Sequence, residues 1–182
     1  MSLRHRARGD RYLLQASGRL GKYVAGGDTR RDEQHRPRPP FGLLRSSYRC
    51  GADEAVILEV TPPQAPWWSI QLTSHFWEAL DWNLRQTSIN GHQAVLDPDG
   101  KFRAVIAHVD LGVPNWQDAG GHEVALITAR YYKAKSTPLP QLRTVPLKDV
   151  RRELPPTTRV ITPRQRQASL WNRAQSVPRR LM

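Results

Sequence analysis

His108-Val109-Asp110 sets an imidazole and a carboxylate two residues apart, a spacing that turns both side chains to one face of an extended strand. His122 follows after a loop rich in Gly and Asn, and Arg130 lies further along. Two imidazoles and one carboxylate are the donor set of the facial triad that holds non-haem iron, and Arg130 would then meet an acidic cosubstrate. His92 with His108 and His122 gives an alternative three-histidine zinc set. His108, Asp110 and His122 are therefore the metal-ligand candidates. Two features count against a metal-dependent oxygenase. The third ligand of such enzymes usually stands much further along the chain, and no His-x-His pair occurs. Polar residues at strand ends also serve simply to bond loop backbone, which is the plainer reading of all three.

A second chemistry is non-covalent recognition. The chain has 6 Trp in 182 residues, and Trp67, Trp68, Trp77 and Trp82 fall close together. Indole faces stack on sugars or bases as well as filling cores. Trp116, inside the polar stretch from Gly112 to Gly121, is the best placed to form an exposed platform, with Asn115 and Asp118 supplying hydrogen-bonding groups beside it. Asn90, His92, Asn115, Trp116 and Arg130 are the ligand-binding candidates. Covalent chemistry is poorly supported. Cys50 has Arg49 beside it, which lowers a thiol pKa when the pair is close, but nothing else marks it as a nucleophile. Ser69 and Ser88 lack a nucleophile elbow. Gly18 to Lys22 lacks the spacing of a phosphate loop, and Asp97 and Asp99 read as turn formers rather than an acid/base pair.

Charge narrows the partners. Lys and Arg number 28 against 16 Asp and Glu, a formal charge of +12. Residues 1–50 and 136–182 each carry +8, and residues 51–135 carry −4. Basic ends suit nucleic acid, with steep salt dependence, or an anionic membrane surface. However, 23 of the basic residues are Arg, which GC-rich coding also produces, and no aromatic-basic RNA-binding motif occurs. A single Cys excludes an internal disulfide and a multi-Cys metal site. No run of about 18 apolar residues exists, so a membrane-spanning helix is excluded. Without the apolar stretch of a secretory signal, a cytoplasmic protein is expected.

The elements that would position these groups begin near Ala52. Residues 1–51 show no sustained period and read as disordered or non-native. A strand is predicted over Ala55–Val60, stopped by Pro62-Pro63, and a second over Trp67–Leu72. On the second, Trp68, Ile70 and Leu72 share one face and Trp67, Ser69 and Gln71 the other. The spacing of Phe76, Leu80 and Leu84 predicts a short helical turn. Asp97-Pro98-Asp99-Gly100 predicts a tight turn, followed by a strand that is apolar on both faces. Another such strand is predicted over His122–Tyr132. Beyond Lys135 a Pro-rich extension leads to a two-turn helix at 146–154. A final helix is capped by Thr162-Pro163, and its Leu170, Ala174, Val177 and Leu181 stripe would dock on the sandwich with its arginines left solvated.

Trp67-Trp68-Ser69-Ile70-Gln71-Leu72, Arg85–Asn90, Asp99-Gly100, Pro114-Asn115-Trp116 and Arg130-Tyr131 together resemble the bacterial family called domain of unknown function 1214, over about residues 52–135. The tail is similar to an actinobacterial branch of it. The resemblance implies an antiparallel β-sandwich of jelly-roll type. It implies no activity, because the family has no settled one. Gln117 stands where that family usually has Leu. Such domains usually follow a longer N-terminal region, which implies a truncated or split product here.

The expectation is thus a mainly β protein, an antiparallel jelly-roll-like sandwich over 52–135. A segment without structure precedes it, and a Pro-rich extension with a C-terminal basic helix follows over 136–182. Its expected role is a ligand-binding or accessory domain for a small molecule or partner protein. A non-haem iron oxygenase and a nucleic-acid binder are the alternatives, and the sequence specifies no cofactor.

Overall fold

A computed structural model describes residues 41–176. Among these residues eight strands form two four-stranded sheets: β1 (Phe41–Arg49), β2 (Glu54–Val60), β3 (Trp67–Thr73), β4 (Ser88–Asn90), β5 (Phe102–Ala107), β6 (Trp116–Asp118), β7 (Val124–Tyr132) and β8 (Gln141–Pro146). One sheet has the order β1-β7-β3-β4, the other β6-β5-β2-β8. Every pairing is antiparallel except β5 with β6, which is parallel. The mainly β class therefore holds, with one pair departing from the antiparallel expectation.

Alternation explains the core. Leu44 and Tyr48 of β1, Trp68, Ile70 and Leu72 of β3 and Ile127, Ala129 and Tyr131 of β7 turn inward. They meet Val56, Leu58, Phe102, Ala104 and Ile106 of the opposing sheet. β2 and β5 are buried on their outer face as well. Ala55, Ile57, Val105 and Ala107 pack there with Trp116, Val145, Val150 and Leu154. The cover comes from a 3-10 turn (Leu147–Asp149) and α1 (Val150–Glu153), where the sequence predicts a two-turn helix. Burying each Ile or Val of this second layer contributes roughly 1.5–3 kcal/mol.

Three expectations about extent are corrected. Among the described residues sheet structure is already present at Phe41, ahead of Ala52: β1 pairs along its whole length with β7, and Cys50 beyond it is fully buried. Its two inward side chains, Leu44 and Tyr48, are too sparse among Arg and Ser to show a period; residues 1–40 lie outside the described residues. At the other end, β8 belongs to the sandwich, so the Pro-rich extension supplies a strand. No helix forms over 75–84. Ser74 Oγ accepts from the Phe76 and Glu78 amides, and Asp81 Oδ1 from those of Asn83 and Leu84. These local bonds replace the helical ladder, leave Phe76 and Leu84 exposed and bury only Leu80 of the expected stripe.

The turn at 97–100 forms as its residues dictate, with Gly100 at φ +76° and its amide donating to Asp97 O. The arm before it is only a bridge at Leu96. Arg103 clamps this turn to β2, pairing with Glu59, Asp97 and Asp99 at 2.6–2.7 Å. α2 (Pro163–Ser176) starts at a capping box: Gln165 N donates to Thr162 Oγ1, and Thr162 N donates to Gln165 Oε1 at 2.8 Å.

α2 docks differently from the expectation. Its one buried side chain is Arg166, 5% exposed, while Trp171 is 66% exposed and Leu170 and Ala174 are half-buried. Val177 and Leu181 lie outside the described residues. Arg166 Nε pairs with Asp110 Oδ2 at 2.9 Å, its Nη1 donates to Gln86 Oε1 at 2.9 Å, and its Nη2 donates to Val113 O. Its guanidinium also lies 5.3 Å from the Trp116 ring centroid. The helix is thus fastened by arginines to the 110–114 loop at its start and to β4 further along.

Candidate functional site

The outer face of the β1-β7-β3-β4 sheet is built by the same alternation, seen from the other side. Ser69 pairs with both Asn90 and Arg130, Gln71 with both Ser88 and Thr128, and Trp67 with Tyr132. Directly paired residues share a face, so these polar side chains form contiguous rows across three strands. The segment after β3 folds back over them. It is pinned where Arg45 of β1 lies 3.2 Å from the ring centroid of Trp77. Trp77 has φ +74°, a conformation rare for a bulky residue and held here by that stack.

Between sheet and overlying segment lies a cleft of about 400 Å³, lined by Trp67, Ser69, Gln71, Trp82, Asn90 and Arg130 among others. Trp67 and Trp82 are each about two-fifths exposed. Arg130 is the one charged residue that lines it. Among the described residues the partner of its guanidinium is Gln71 Oε1, a neutral oxygen, and no carboxylate pairs with it. Burial pushes the Arg130 pKa below the ordinary arginine value, the mark of a cation partly stripped of water without a counter-charge.

Arg173 of α2 stands behind the β4 wall. Its Nη2 donates to Ser88 O at 2.7 Å and its Nη1 to Ser88 Oγ and Trp82 O at 3.3 Å. Its pKa is also depressed, first by burial and then by repulsion from Arg166. Arg173, Ser88, Gln71 and Arg130 therefore form a row across α2, β4, β3 and β7, with a cation at each end and no carboxylate among them.

The candidates named from sequence divide. Asn90 and Arg130 come together in this cleft. Asn90 Oδ1 accepts from the His92 and Gln93 amides and so shapes the turn at the cleft's end, with His92 exposed on that turn. Asn115 does not join them: it is 5% exposed, its Oδ1 accepts from Val95 N and its Nδ2 donates to the Val95 and Arg103 carbonyls. Trp116 is buried rather than an exposed platform, because its Nε1 donates to Ala107 O and its ring packs under the α1 layer.

The metal candidates also separate. His108 Nε2 lies 2.9 Å from Cys50 O, Asp110 is taken by Arg166 and the Gly112 amide, and His122 follows the Gly120-Gly121 turn. Among the described residues no three His, Cys, Asp or Glu side chains are grouped to hold a metal ion. These residues therefore do not fit an iron or zinc centre. Cys50 is no nucleophile candidate either: burial first, and Glu54 second, push its thiol up to about 11.

Ser69, Gln71, Ser88 and Arg173 were not among the binding candidates from sequence, and Trp67 and Trp82 entered only as members of the Trp cluster. The signal for the β3 members was present: a strand with an apolar face opposite Trp67, Ser69 and Gln71 has a polar face to account for. Arg173 carries no such signal, since a basic helix face reads as solvated.

No protein-family model matches the chain, and a search of curated proteins finds no match. Solved structures do match. The chain is similar to an uncharacterised protein from Burkholderia cenocepacia, with 30% identity and a TM-score of 0.58, over 62% of this chain and 31% of that one. A Vibrio parahaemolyticus protein aligns at 13% identity and a TM-score of 0.46, over 57% of this chain and 30% of that one. The chain thus spans about a third of the length of the solved structures it matches. Over 62% of this chain the fold is shared with that uncharacterised Burkholderia protein, and no helix among the described residues is long and apolar enough to cross a membrane.

Proposed function

We propose that this chain is a ligand-binding β-sandwich, part of a larger protein or assembly, which takes a small organic molecule into the cleft over β3, β4 and β7. The observation that carries this is Arg130: a partly desolvated guanidinium, without a carboxylate among the described residues, in a cleft of about 400 Å³ that two part-exposed indoles also line. That volume is in the range of small-molecule sites. Membership of the domain of unknown function 1214 family is part of the proposal. It is supported by the Trp-Ser-Ile-Gln strand, the Ser-Ile-Asn segment and the Arg-Tyr strand meeting as neighbours in one sheet. The proposal takes the protein as bacterial and cytoplasmic, in keeping with the Burkholderia likeness and a buried free thiol. Nucleic-acid binding through the basic end is less supported, because Arg166 and Arg173 are used in fastening α2.

The test is a fragment screen by NMR, following the six indole N–H signals of the full chain. Neutral and charged ring fragments that bind are expected to move the Trp67 and Trp82 signals and to leave Trp116 still. Binding that moves neither Trp67 nor Trp82 sinks the proposal.

A further inference from the structure

Resting on that cleft reading, we infer that its ligand is a ring-bearing carboxylate, held by its carboxylate on Arg130 and by its ring between Trp67 and Trp82. The charge comes first. A cation taken partly out of water is costly unless an anion or several hydrogen bonds compensate it. Elsewhere in this molecule that compensation is built in: Arg103 has three carboxylates and Arg166 has Asp110. Arg130 has one amide oxygen, and Arg173 has backbone carbonyls and a hydroxyl. No carboxylate lines the cleft among the described residues, and a bound oxyanion supplies Arg130 with the missing partner.

A carboxylate fits better than a phosphate. A single guanidinium lines the cleft, and its planar fork matches two carboxylate oxygens. Phosphate sites add backbone amides or further cations, and Arg173 is already committed to Ser88 and Trp82. The ring follows from the walls. Trp67 and Trp82 offer apolar faces, and Ser69, Asn90 and Gln93 line the cleft beside them with polar groups that suit ring hydroxyls.

The experiment titrates the full chain with paired rings: benzoate against benzyl alcohol, and glucuronate against glucose, with phenyl phosphate as the competing anion. The Trp67 and Trp82 indole signals are the readout. The acids are expected to bind at least about tenfold more tightly than their neutral partners, the size of a charged hydrogen bond. Arg130→Gln is expected to remove that difference; Arg130→Lys is expected to restore only part of it. Benzoate against glucuronate distinguishes an aromatic acid from a sugar acid. Acids that bind no better than neutral rings overturn the inference and leave the cleft reading intact. Phenyl phosphate binding tenfold above benzoate overturns it in favour of a phosphate ligand. If no ring moves Trp67 or Trp82, the cleft reading itself fails.

Discussion

The two sheets treat their outer faces in opposite ways. Over β2 and β5 the outer face is apolar, and the chain closes it with its own residues, from Trp116 to Leu154. Over β3, β4 and β7 the outer face is polar, rimmed by half-exposed Trp, and left open as a cleft. The arginines follow the same division. Arg103 and Arg166, serving the closed side and the helix, have carboxylates at 2.6–2.9 Å. Arg130 and Arg173, serving the open side, have none among the described residues. One face is completed within the molecule, and the other is arranged to be completed by something else.

The division can be broken at several points. The largest effect is expected from Trp116→Ala, which hollows the closed layer and removes the bond to Ala107 O. A loss of about 3–5 kcal/mol in urea-derived stability should follow. Arg166→Ala comes next. It strands Asp110 and Gln86 and frees the start of α2, and since Asp110 is partly solvated the cost should be about 2 kcal/mol, with faster hydrogen exchange confined to α2.

Acid should weaken the closed side. For Glu59, burial raises the pKa, but the hydrogen bonds from Lys101 and Arg103 outweigh it and the net shift is downward. A lowered folded-state pKa contributes stability that is full above the unfolded carboxylate value and lost as pH falls below it. Thermal unfolding followed from pH 6 down to about 3 should show this loss, and Glu59→Gln should flatten it. The smallest effect is expected at Arg130. Arg130→Met removes a desolvated charge that no carboxylate balances, so stability should stay within about 0.5 kcal/mol or rise slightly. A loss above about 2 kcal/mol would make Arg130 a structural residue and dissolve the contrast between the two faces.

Much of the sandwich was legible because period and punctuation agreed. β2, β3, β5 and β7 lie where alternation, Pro62-Pro63 and the Asp97–Gly100 turn put them. What was not legible involved long-range partners. β1 is a strand because β7 pairs with it, since its own apolar residues are too few to declare it. β6 is three residues long and takes its parallel course from β5. Residues 76–84 carried a helical spacing that Ser74 and Asp81 overrode locally. Of the site, Asn90 and Arg130 were legible as polar residues near strand ends. Trp116 was misread because a Gly/Pro-rich stretch suggests exposure, whereas its indole fills the layer beneath α1. Arg173 could not be read, because only the fold shows that its guanidinium reaches Ser88.

The pairing of β1 with β7 also sets a clock. Arg49 meets Glu123, 74 residues later in the chain. A ribosome adding about 5–20 residues per second takes roughly 4–15 seconds to cover that interval. Once β1 has left the exit tunnel it spends an interval of that length without its partner and with Leu44 and Tyr48 uncovered. Among the described strands, the one at the edge of its sheet is therefore the first made and must wait for its neighbour. Synthesis speed across residues 50–123 becomes a determinant of how much chain reaches the folded state.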